Sequence, residues 1–229
     1  MEILDDIPFE FESEKLFAEL HIDKESQDAK DIEELVQALA PVIKPKAIYE
    51  VSYIESRGYE RVDIGGVTFR SRVLSVNLED VERVFPYIAT CGREVDEIII
   101  SSDDFLKRFW LDAIKQSTLD TAREYLIDHI KQKYALKQVS KMSPGAGSQD
   151  LWPIEQQKQL FSIFGNVEDL IGVTLTDRFL MIPIKSVSGL FFPTEMSFES
   201  CQLCPREGCP GRRAPYDESL LESFYKDKA

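Results

Sequence analysis

Apolar residues recur along the chain with two different periods, and each change of period marks an element. Over residues 9–40, Phe17, Leu20, Ile32, Leu35, Val36 and Leu39 fall at helical spacing among acids, and Pro41 and Pro45 stop the pattern. Residues 47–54 alternate as a strand does, with Ile48, Val51 and Tyr53 as β-formers. Ile64-Gly65-Gly66-Val67 reads as a hairpin turn, with the second strand over residues 68–74. Asn77 predicts the cap of a short helix running to Phe85, and residues 86–91 predict a short buried strand ended by Gly92. The strongest signal follows. Ser101 or Ser102 caps a helix opening on Asp103-Asp104, where the macrodipole favours acids. Leu106, Phe109, Trp110, Ala113 and Ile114, then Leu119, Ala122, Leu126, Ile130 and Tyr134, predict one helix of roughly 30 residues or two abutting ones.

Beyond it, residues 137–143 are extended and residues 144–148 break regular structure. Pro153 opens a helix through Phe164 that Gly165 ends. Residues 173–184 form a β-pair or bent strand, residues 186–192 a further strand, and a short helix comes last. Strands joined by hairpins rather than by strict βαβ alternation predict an α+β fold, a mixed, mostly antiparallel sheet with long helices. Residues 1–200 read as one domain and residues 201–229 as a cysteine-containing extension packed on it.

Charge narrows the function. The 229 residues carry 27 Lys+Arg against 41 Asp+Glu, a net of −14. So acidic a chain is a poor partner for nucleic acid and for anionic membrane surfaces. No apolar run approaches the roughly 20 residues of a membrane span, and the acidic start has no secretory pattern. The expected compartment is the cytoplasm, where the four cysteines stay reduced. The two histidines, His21 and His129, leave little room for histidine-based catalysis, and His129 is expected at the surface of the long helix. No Ser-His-Asp or Cys-His set is visible, so no complete active site is predicted.

Three constellations carry candidate chemistry. Residues 141–148, Lys-Met-Ser-Pro-Gly-Ala-Gly-Ser, form a glycine-rich loop that can approach a ligand closely but is not a P-loop. Cys201, Cys204 and Cys209 fall within nine positions, a spacing that suits a metal ion or cluster, with Cys91, a carboxylate, a small molecule or a partner as the fourth ligand. Ser186-Val187-Ser188-Gly189-Leu190-Phe191-Phe192 places small residues beside large apolar ones, as at a buried strand end with a bulge glycine or at a close ligand approach.

The order of the long helix with Asp120 and Glu124-Tyr125-Leu126, the residue 141–147 loop, the helix after Pro153 and the Ser-Val-Ser-Gly run resembles the reactivation (activation) domain of vitamin B12-dependent methionine synthase. More narrowly, the chain is similar to the stand-alone bacterial form, which also carries a three-cysteine motif. The resemblance covers most of residues 100–195. It implies an accessory module of cobalamin-dependent methyl transfer that binds S-adenosylmethionine and acts on a separate corrinoid protein, with cobalamin held by that partner. In the family an arginine-proline-alanine-proline-glycine-tyrosine loop holds the ligand's carboxylate, and a helical glutamate engages its amino group. Lys141 stands at the arginine position, Ser143 at the alanine, Pro144-Gly145 at the proline-glycine, Ala146 at the tyrosine and Asp120 at the glutamate. Ser186, Ser188 and Gly189 are implied near the docking cleft.

A rival reading makes the cysteines the working part. In it an iron–sulfur cluster or zinc at Cys201, Cys204, Cys209 and Cys91 serves electron transfer or interaction, and the S-adenosylmethionine site is vestigial. Between Cys201 and Pro215 stand three arginines, Arg206, Arg212 and Arg213, against one acid, Glu207. That basic patch would suit an acidic partner such as a flavodoxin- or ferredoxin-like reductant.

Overall fold

The computed structural model describes residues 1–148, 151–195, 198–209 and 211–226. The elements run β1 (Glu2–Leu4), α1 (Ser13–Glu19), α2 (Gln27–Leu39), β2 (Lys46–Tyr49), β3 (Ser52–Arg57), β4 (Arg61–Ile64), β5 (Val67–Arg70), α3 (Arg72–Asn77), β6 (Arg83–Thr90), α4 (Phe105–Lys133), β7 (Val139–Met142), α5 (Gln157–Ser162), α6 (Val167–Ile171), β8 (Thr174–Leu175), β9 (Met181–Ile182), β10 (Ser186–Pro193) and α7 (Glu218–Tyr225). The fold is α+β, as its periodicities predict.

Several boundaries move, each for a local reason. The helical pattern of residues 9–40 is two helices, because His21 takes a left-handed φ of 54° between them. Asn77 ends a helix rather than opening one. The cap is Ser71, whose Oγ accepts from Leu74 N at 2.9 Å, so residues 72–77 turn helical and the strand expected over residues 68–74 ends early. The next segment, β6, is longer than the short strand expected and lies at the centre of the sheet. On α4, Asp104 rather than a serine is the N-cap, accepting from Lys107 N at 3.0 Å.

All pairings in the sheet are antiparallel. β6 pairs β10 along one edge, and β2 then β3 along the other. β1 flanks β2, β4 and β5 extend the sheet beyond β3, and β7 closes the far side against β10. Because side chains alternate across a strand, β6 has two fully buried faces. Phe85, Tyr87 and Ala89 point to the side covered by α1, α2 and α4, where Trp110, Ile114, Ala122, Leu126 and Ile130 complete the core. Val84 and Ile88 point the other way, Val84 toward Leu74, Trp152, Leu190 and Phe192 and Ile88 toward Phe161, Phe164 and Ile171. Leu203 and Phe224 join the Val84 cluster, and Arg72 Nε donates to Phe224 O at 2.7 Å. Among the described residues no helix is long and apolar enough to cross a membrane.

The first strand is held by charge. Glu2 accepts from Tyr49 Oη at 2.6 Å and from Lys133 Nζ, and His129 Nε2 stands 2.9 Å from its carboxylate. His129 is therefore half-buried against β1, not a free surface group. Burial alone would raise the Glu2 carboxyl; hydrogen bonds from Lys133 and Tyr49 outweigh it and hold it below the usual value. A carboxyl lowered on folding stabilises above its unfolded pKa, near 4.3, and loses that contribution as pH falls through its folded value. Glu2→Gln is thus expected to cost about 1 kcal/mol near neutrality. In urea titrations at several pH values, the gap to the unsubstituted protein should close below about pH 4.

Candidate functional site

The register of β7, β10 and β6 places the site. Phe191 lies opposite both Lys141 and Phe85, and Gly189 opposite Tyr87. Lys141, Tyr87 and Phe191 consequently share the face that α4 covers, and the Tyr87 and Phe191 rings stack at 3.9 Å with 9° between their planes. Gly189 permits this closeness: a Cβ there would stand 2.4 Å from Met142 O and 2.6 Å from Ser143 Oγ. The chain then leaves β7 through a loop with Gly145 at φ 77° and Gly147 at φ 88°, both left-handed. The loop spends its amides internally, Gly145 N on Trp152 O and Ala146 N on Ser143 O.

A cleft of about 390 Å³ opens between this loop, α4 and the residue 199–213 segment. Its floor is Tyr87, fully buried, whose hydroxyl has Ser143 beside it but no hydrogen bond of normal geometry. Burial pushes the Tyr87 hydroxyl up, while Ser143, Arg123 and Arg213 pull it back. Lys141 reaches in from the side. Burial lowers its pKa, the charge of Arg213 adds to that, and Glu199, 4.0 Å away, opposes it. Arg123, Arg206, Arg212 and Arg213 also line the cleft, with Glu199 as the acid among its lining residues. In a chain of net −14, this is a concentrated positive recess.

The structure brings Lys141, Ser143 and Gly145 into the cleft, together with Cys201, Cys204 and Cys209. Asp120 is not among the lining residues, although its charge acts on Lys141. That carboxylate is 2.8 Å from Arg123 Nη2 and accepts from Gln116 Nε2 at 3.2 Å, so Arg123 is the α4 residue that faces the recess. Ser186 lies elsewhere too, its Oγ 2.9 Å from Thr90 Oγ1 and 2.7 Å from Pro183 O. Ser188 points to the opposite face of β10, accepting from Gln157 Nε2 at 3.0 Å. Tyr87, Arg123 and Glu199 escaped the sequence reading. Tyr87 and Arg123 sit inside core-like patterns, and their place in the cleft depends on strand register and helix phase.

The four-cysteine ligand set is not assembled. Cys91 sits just past the end of β6 inside the α4-side core, its N–H bonded to Lys185 O, and burial pushes its thiol up to about 12. Among the described residues no three His, Cys, Asp or Glu side chains group to hold a metal ion. The three clustered cysteines are organised instead by Arg212. Its guanidinium donates to the carbonyls of Cys201, Cys204, Arg206 and Ala214, and its own N–H donates to Cys209 O at 3.1 Å. Four bonds from one planar group and a fifth from the backbone make it a staple for the loop, not a free cation for docking. Arg212→Ala is expected to cost about 2 kcal/mol and to speed labelling of the three thiols by a disulfide reagent. Arg213→Ala, at an exposed position, should stay within about 0.5 kcal/mol of the unsubstituted protein.

The architecture is an eight-stranded antiparallel sheet around β6 with a 29-residue helix across one face. No family model and no curated protein sequence matches the chain. Among solved structures, the crystal structure of the MetH reactivation domain bound to AdoHcy is similar, with a TM-score of 0.58 at 15% identity over 87% of this chain and 81% of that one. The likeness establishes a shared fold.

Proposed function

We propose that the chain is an accessory module of cobalamin-dependent methyl transfer, acting on a separate corrinoid protein and holding an S-adenosyl ligand in the Lys141 cleft. One observation carries the ligand reading: a half-buried lysine and four arginines line a cleft floored by an unpartnered tyrosine hydroxyl, with a single acid among them. Such a recess seats an anionic group, and the carboxylate of an amino-acid moiety is one. A solved domain of the same fold, described as bound to AdoHcy, supports the choice of ligand.

In this reading Lys141 Nζ and Tyr87 Oη take the carboxylate. Glu199 takes the ligand's ammonium, the role that Asp120 cannot fill while Arg123 holds it. Side chains do the anchoring, because the loop amides of Gly145 and Ala146 are already bonded. The corrinoid and the methyl donor supply the transfer chemistry; this chain binds, orients and excludes water.

The test is calorimetry with S-adenosylhomocysteine, whose uncharged sulfur suits a site crowded with cations. Binding at millimolar ligand or below supports the reading. No heat of binding in that range, with or without a corrinoid protein present, overturns the ligand site.

A further inference from the structure

Beside the Lys141 cleft, and reaching the other face of β10 at Ser188, lies a second recess of about 200 Å³. Its walls are apolar: Ile154, Phe179, Leu180, Met181, Ile184 and Val187. No charged side chain lines it among the described residues. Leu180 and Ile184 at its rim are 61% and 75% exposed, unusual values for aliphatic side chains that curl over a cavity.

Two polar groups sit in this apolar setting, both nine-tenths or more buried. Gln157, 2% exposed on α5, donates from Nε2 to Ser188 Oγ at 3.0 Å, and its Oε1 has no hydrogen-bond partner. Ser188, 3% exposed, spends a lone pair on that bond and keeps its own O–H. A buried amide oxygen left unpaired is costly, so an orphan on a side chain that lines a cavity marks where a donor belongs. An acceptor and a donor side by side ask for the reverse pair on a ligand.

We propose that this recess is a separate binding site for a neutral group with an N–H donor beside an acceptor on a flat apolar body, as on a primary carboxamide or the matching edge of an aminopyrimidine ring. Gln157 Oε1 accepts the ligand's N–H, Ser188 O–H donates to its acceptor, and Leu180 and Ile184 cover the body. The absence of charged lining excludes carboxylates and ammonium groups on desolvation grounds. The site stands independently of the Lys141 cleft, although Ser143 and Val187 border both.

The experiment titrates the full chain with nicotinamide, with adenine and with nicotinate, following backbone amide shifts. Nicotinamide or adenine should bind with a dissociation constant in the millimolar range or tighter, and nicotinate about tenfold or more weakly than nicotinamide. Binding by nicotinamide alone assigns the carboxamide, and binding by adenine alone assigns the aminopyrimidine edge. Gln157→Met, which keeps the volume and removes the acceptor, should weaken binding about tenfold, and Ser188→Ala should weaken it in a variant that leaves α5 untouched. Binding should be unchanged with S-adenosylhomocysteine present, which separates this site from the S-adenosyl reading. Failure of both neutral probes overturns the proposal. So does binding that both variants leave intact, and so does binding that S-adenosylhomocysteine displaces.

Discussion

Gly189→Ala should unfold at clearly lower urea than the unsubstituted protein, by about 3 kcal/mol, and lose ligand binding at the same time. The added methyl would meet Met142 O at 2.4 Å, a backbone atom fixed by the β7–β10 ladder, and Ser143 Oγ at 2.6 Å. Neither strand can withdraw without parting Leu190 from Met142 or Phe191 from Lys141. The third neighbour, Tyr87 Cε1 at 3.2 Å, is stacked on Phe191 and cannot swing away. Strain therefore falls on Ser143 and Tyr87, the two groups at the bottom of the cleft. Gly211→Ala is the control: nothing lies within 4 Å of its added methyl, and its stability should change by no more than about 0.5 kcal/mol. A Gly189→Ala protein with an unshifted urea midpoint would show that the β7–β10 contact is looser than these distances.

Lys141→Met should weaken S-adenosylhomocysteine between about 10-fold and 100-fold, the worth of one charge-assisted hydrogen bond in a half-buried site. Stability should hold or rise in the same variant, because burial and Arg213 make the ammonium unwelcome without a ligand. The pH dependence has a definite sign. A lysine whose folded pKa is lowered carries its penalty in full below that value and sheds it as pH rises toward the unfolded pKa, near 10.4. The free protein should gain stability through that alkaline window, and ligand affinity should fall through it. Lys141→Arg restores a charge that does not titrate there and adds a fork matched to a carboxylate, so affinity should survive at high pH. Calorimetry at neutral and alkaline pH on the three proteins measures all of this. Equal affinity in the Met variant would remove Lys141 from the site.

Much of the fold is legible in residue order. The Gly65-Gly66 turn, the apolar stripe of α4 and the break at residues 144–148 rest on local chemistry, and each stands where the pattern puts it. Residues 72–74 read as the end of a strand over residues 68–74. They turn helical because Ser71 caps Leu74 while its hydroxyl also reaches Leu151 O, a partner 80 positions away that no local pattern reveals. The site divides the same way. Lys141 and the glycines of its loop are visible as a motif, whereas Tyr87 becomes a floor only when β10 fixes its register. Arg212 reads as surface charge, yet its geometry makes it the keystone of the cysteine loop. Asp120 is paired with Arg123, three positions along α4, and it is Arg123 that lines the cleft, a matter of helix phase that spacing alone does not reveal.

The central position of β6 also bears on how the chain is made. Ser186 bonds Thr90 across 96 positions, and Arg72 bonds Phe224 across 152. During synthesis β6 emerges long before β10, and its edge stays open while α4 and β7 are being added. Topologies dominated by such distant pairings fold slowly and expose unpaired strand edges meanwhile. The cleft itself draws on residues 87, 123, 141 and 213, so no ligand seat exists until nearly the whole described chain has left the ribosome. The ligand proposed for the cleft would act on the last stage of assembly only, as a latch on a sheet already closed.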